Sequence, residues 1–161
     1  MGLKYIFILT FLTGAASVCG SAYAQHVAPF AQGEKEGIDM GALEASYPPA
    51  LSSGKDRGVF DGNSDAFIEA YHDMLREFGT YLRKNGFEWP APTKEIHRIY
   101  FNENGGVDYF HFQLKGNNCS AMRKEQYRSM LDKFVAQYRF PLPVDTKFSQ
   151  CGSARFEPYE K

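Results

Sequence analysis

The chain lacks the short patterns that announce most chemistries. No HExxH, CxxC, CxxCH, GxSxG, Walker or calcium-loop spacing occurs in its 161 residues, so the sequence offers no ready-made zinc, haem, phosphate or calcium site and no serine elbow. Charge of one sign is lacking too: 18 basic against 19 acidic residues give a net charge of −1, which removes the electrostatic case for a nucleic-acid partner. Cysteine is scarce at three residues and tryptophan scarcer at one. With 43% hydrophobic and 23% charged residues the remainder sits near globular averages, and one domain is the expectation.

The only long apolar run is at the start. Lys4, an apolar stretch from Tyr5 to about Ala16 and the small-residue ending Ala22-Tyr23-Ala24 have the layout of a secretory signal, residues 1–24. Cleavage after Ala24 confines membrane contact to the transient signal and predicts a periplasmic or secreted protein with Gln25 first. Lipidation at Cys19 and retention as an anchor are the alternatives. Val18 is too bulky for the former, and Gly14, Ser17, Gly20 and Ser21 weaken the latter. Since Lys4 is the only charge removed, the exported chain carries a net −2.

Two cysteines remain after cleavage, Cys119 and Cys151. An even number in an oxidising compartment predicts a disulfide, whose loop of about 30 residues corresponds to roughly 3–4 kcal/mol in the chain-entropy model. Two free thiols are the alternative.

Residues 25–63 hold no helical or alternating period beyond a few positions and are rich in Gly, Pro, Ser and charge, so a flexible leader is expected. The compact domain is expected over 64–161. Asn63 and Ser64 offer N-caps, and Phe67, Tyr71, Met74, Leu75, Phe78 and Leu82 fall on one helical stripe that Asn85-Gly86 ends. Two apolar-aromatic runs flank Asn104-Gly105-Gly106, the strongest local hairpin signal. Its parity puts Ile99, Phe101, Phe110, Phe112 and Leu114 on one face, and Arg98, Tyr100, Tyr109, His111 and Gln113 on the other. A second helix begins at Ser120, carries Met122, Tyr127, Met130, Leu131, Phe134, Val135 and Tyr138, and stops before Pro141. A last strand runs from about Thr146 to Phe156, with a bulge at Gly152 deciding which way Cys151 faces.

The order helix-strand-strand-helix-strand predicts an α+β two-layer sandwich. Its sheet would be three-stranded and antiparallel, in the order 2-1-3, with both helices on one face and the other face open. Placing the last strand beside the second instead would give a mixed sheet.

This element order, the glycine-marked hairpin and the Tyr138-Arg139-Phe140-Pro141 ending of the second helix resemble the C-terminal domain of TonB-type energy transducers over about residues 64–156. The resemblance implies a periplasmic module of Gram-negative bacteria whose sheet edge adds a strand from a partner, along Phe148 to Arg155 here. The chain departs from a full transducer: it has no long Pro/Lys-rich spacer, and its N-terminus looks cleavable.

No catalytic set, metal site or cofactor is expected. Glu34 and Glu36 belong to the leader, and neither exported cysteine reads as a free nucleophile. His97 shares parity with the core, and His72 reads as part of a solvated helix face. The leading expectation is a non-enzymatic module that binds a protein or peptide of the cell envelope through an exposed edge including Phe148 and Gln150. The alternative is a small-ligand binder or hydrolase using Arg98, Tyr100, Tyr109, His111 and Gln113. A third is a purely structural envelope protein. The oligomeric state is left open.

Overall fold

Strong local signals become the longest elements of the computed structural model, which describes residues 25–116 and 119–158. The expected signal, residues 1–24, lies outside the described residues. Strand β1 is His26–Pro29, followed by the short helices α1, Phe30–Lys35, and α2, Met40–Ser46. Helix α3 spans Ser64–Lys84, strands β2 and β3 are Thr93–Phe101 and Val107–Lys115, α4 is Ala121–Gln137 and β4 is Phe148–Phe156. Asp39 caps α2 by accepting from the amides of Gly41 and Ala42, and Ser120 caps α4 by accepting from Arg123. No helix among the described residues is long and apolar enough to cross a membrane.

The sheet corrects the expected architecture. It has four strands in the order β1-β3-β2-β4, with β1 parallel to β3 and the other pairings antiparallel. It is therefore a four-stranded mixed sheet accompanied by four helices, and not a three-stranded antiparallel sheet with two. The extra strand comes from the segment expected as a flexible leader. His-Val-Ala-Pro is too short and too interrupted to show alternation, and its partner lies more than 80 residues away, so nothing local marks it.

Residues 25–63 also cover what was expected to be an open face. Phe30 of α1 lies against the His111 ring, at 6.1 Å between centroids, and Tyr47 stands edge-on to Tyr100 at 5.2 Å. From there the chain crosses the sheet edge. Pro49 runs beside Ser149, Ala50 is wholly buried, and Phe60 reaches the opposite side to pack on Phe67 and Phe148.

The main core lies between the other face and α3 and α4. Helix α3 follows β4 along its length, with Phe67 against Phe148, Tyr71 over Gly152 and Phe78 near Phe156. Helix α4 covers β3 through Tyr127 on Phe112, and reaches β1 where the Gln25 side chain donates to the Val135 carbonyl. Burial of this aromatic-rich set supplies the dominant favourable term, about 25 cal/mol per Å² of apolar surface.

The hairpin turn is fixed by Asn102, whose side chain accepts from the amides of Asn104 and Gly106 and donates to Asp108. Gly105 has φ of 72° and its would-be Cβ lies 2.9 Å from the Phe140 carbonyl, so both conformation and space require glycine. The register shifts at Tyr100/Phe101. Below that point Ile99 pairs with Phe110 and Arg98 directly with His111.

The β2–β4 register is continuous through Gly152, so no bulge reverses Cys151. Cys151 pairs with Arg98 and shares its face, away from α4, while Cys119 packs beside the core at the start of α4. In this structure both are free thiols.

Candidate functional site

Strand β4 is one edge of the sheet, and only its beginning is covered. Ser149 donates its amide to the Pro48 carbonyl and accepts from Ala50, both at 2.8 Å, so its backbone groups point away from β2. Alternation then turns the backbone groups of Cys151, Ser153 and Arg155 outward as well, and those of Phe148, Gln150, Gly152, Ala154 and Phe156 toward β2. Among the described residues no backbone group pairs with Cys151, Ser153 or Arg155 on that side. The Gln150 side chain alone reaches in, donating to the Cys151 carbonyl at 2.7 Å. The opposite edge, β1, has four residues and ends in Pro29, a protected form of edge.

A groove of about 680 Å³ lies along this edge between α3 and β4. Its apolar wall is Leu75, Trp89 and Phe156, the last two rings stacked at 4.9 Å with planes 15° apart. His72, Arg76 and Arg83 of α3 line its other side. The Trp89 indole N–H is buried, with no acceptor among the described residues.

Beneath the groove runs a buried polar line. Tyr127 donates its hydroxyl to Glu95 Oε2, His97 Nδ1–H donates to Glu95 Oε1 at 2.8 Å, and the Tyr71 hydroxyl donates to His97 Nε2 at 2.5 Å. Burial pushes the Glu95 carboxyl upward, opposed by the hydrogen bond from His97. The line also explains Gly152, where a Cβ would overlap the Tyr71 hydroxyl.

The residues expected on the second face do come together, but under a cover. Arg98 lies opposite His111 and Tyr100 opposite Tyr109, while Gln113 stays exposed near the strand's end. The cover is tied down by an Arg98–Glu44 ion pair, by the Tyr47 hydroxyl donating to Asp108 at 2.8 Å, and by His26 Nε2–H donating to Glu36 at 2.6 Å. Hydrogen bonds from Gln32 and then His26 hold the Glu36 carboxyl below its ordinary range. His26 Nδ1 in turn lies 3.3 Å from His111 Nε2. Arg98 Nε, Tyr100 Oη and His111 Nδ1 are enclosed without partners among the described residues. Burial first, and the nearby His26 second, lower the His111 pKa to about 4, so the ring is neutral at pH 7.

Of the residues expected to bind at the edge, Phe148 does not face a partner: it is fully buried and stacks on Phe101 at 4.6 Å. Gln150 meets the edge through its side chain, while its backbone faces β2. His72, Arg76, Arg83 and Trp89 went unread as one site because they join only when α3 lies along β4. Among the described residues no group of three or more His, Cys, Asp or Glu is placed to hold a metal. Comparison of the chain with protein-family models, curated proteins and solved structures finds no match.

Proposed function

We propose that the exported chain, from Gln25 onward, is a non-enzymatic module of the cell envelope that binds an extended peptide or a protein segment as an added strand on β4. The observation that carries this reading is the outward row of backbone groups at Cys151, Ser153 and Arg155, which no backbone group among the described residues pairs, beside a groove able to take side chains. In strand addition the backbone bonds give affinity and a pocket for every second side chain gives selectivity. A long unprotected edge is also an aggregation hazard, and a resident use for it is the simplest reason for its retention.

The test uses residues 25–161, because β1 and the 47–60 crossing are part of the sheet. Ser153→Pro removes an outward N–H, whereas Ser153→Ala keeps it. A partner captured from envelope extract by the parent and by Ser153→Ala, but lost by a folded Ser153→Pro, is the expected result. Equal capture by all three removes the edge from the interaction. Proline at Gln150 is the wrong control, because that N–H belongs to the β2–β4 ladder.

A further inference from the structure

We propose that the α3–β4 groove selects the guest's sequence: the added strand carries a bulky apolar residue opposite Ala154 and acidic residues two positions to either side of it. This rests on the strand-addition reading above and names the partner's chemistry.

Side chains alternate on an added strand as on any other, so guest residues opposite Gly152, Ala154 and Phe156 point to the α3 side. Ala154 lines the groove with only a methyl group, between Leu75 on α3 and the stacked Trp89 and Phe156 rings. That is a floor for one large apolar side chain, and filling it removes apolar surface from water on both partners. Polar residues there leave the floor empty.

The flanking positions meet positive charge. Because α3 runs in the same direction as β4, with Tyr71 over Gly152 and Phe78 near Phe156, His72 and Arg76 stand toward the Gly152 end of the groove. Arg83, farther along α3, stands toward the other end. Among the described residues Glu157 is the only carboxylate lining the groove. Arg76 pairs with Asp73 on its own helix, but both side chains are more than half exposed, so a guest carboxylate joins the pair without a large desolvation cost. A guest rich in acceptors suits this lining, and a guest with lysines at the flanking positions is repelled.

Two nine-residue peptides test the proposal, Ser-Thr-Glu-Thr-Leu-Thr-Glu-Thr-Ser and its counterpart with both Glu replaced by Lys. Trp89, the chain's single tryptophan and part of the groove wall, reports occupancy by its emission. Amide exchange at Cys151, Ser153 and Arg155 reports strand pairing independently. The Glu peptide is expected to bind roughly tenfold or more tightly than the Lys peptide at low salt, the difference shrinking in molar salt. In the Arg76→Glu, Arg83→Glu double variant the order reverses. Equal binding of both peptides, with the edge amides protected, overturns the charge selectivity and leaves strand addition standing. If neither peptide binds or protects the edge, both readings fall together.

Discussion

Facing α3 and α4, Tyr127, Glu95, His97 and Tyr71 form an unbroken hydrogen-bonded line, while facing α1 and α2, Arg98 Nε, Tyr100 Oη and His111 Nδ1 are as deeply enclosed and find no partner among the described residues. Both sets draw on β2, with Glu95 and His97 on one face of it and Arg98 and Tyr100 on the other, joined there by His111 of β3. A satisfied buried hydrogen bond contributes about 0.5–1.5 kcal/mol net, whereas an orphaned group costs about 1–3 kcal/mol. The difference identifies two units of unequal local stability. Helices of 21 and 17 residues build the first face, and helices of 6 and 7 residues, too short to persist alone, build the second. The segment that closes the second face is therefore expected to open first.

The largest effect should come from breaking the satisfied side. Glu95→Ala leaves the His97 N–H and the Tyr127 hydroxyl buried without their acceptor, and about 3–5 kcal/mol of unfolding free energy should be lost in a urea titration. Tyr127→Phe removes only one donor, and about 1 kcal/mol is expected. A loss below 1 kcal/mol for Glu95→Ala would put water, and not Glu95, at the centre of the line.

On the covered side the sensitivity is to pH. Native His111 takes up its proton only near pH 4, while in the unfolded chain it does so near 6.5. Between those values the unfolded state holds more protons, so stability is fully present above about pH 6.5 and falls as pH drops toward 4, by up to about 3 kcal/mol. His111→Phe removes this contribution. Its melting temperature should fall less steeply than the parent's between pH 6.5 and 4, and parallel curves would show that His111 is accessible to protons in the folded state.

Much of the first face was legible in the sequence and little of the second. The Asn104-Gly105-Gly106 turn and the alternation around it predict which residues share a face, and the pairing of Arg98 with His111 follows from that parity. The α3 stripe is visible because its apolar spacing, from Phe67 to Leu82, repeats over about four turns. The core parity of His97 is visible in the sequence, and Glu95 shares it: a carboxylate and an imidazole at such positions demand buried partners, which Tyr71 and Tyr127 on the core stripes supply. Strand β1 had no such signal, since four residues ending in proline show no period and parallel pairing joins distant segments. The disulfide expectation rests on cysteine number, which says nothing about which side of a strand Cys151 occupies. The groove was hidden for a similar reason: His72 and Arg76 look like an ordinary solvated helix face until β4 is placed beside them as an edge.

The smallest effect separates the two units most directly. Glu44 joins α2 to the sheet through Arg98, in a pair whose carboxylate side is about half exposed, so Glu44→Gln should lower global stability by less than about 1 kcal/mol. If the cover opens as its own unit, that small loss falls on local opening. Amide exchange in Met40–Ser46 should then quicken by up to about fivefold, with α3 and β2 unchanged, because the helix-side core does not depend on Glu44. Exchange that quickens equally in α3 would mean that the cover and the main core open together. The orphaned Arg98, Tyr100 and His111 groups would then be a cost borne by the whole fold and not by a part of it able to move aside.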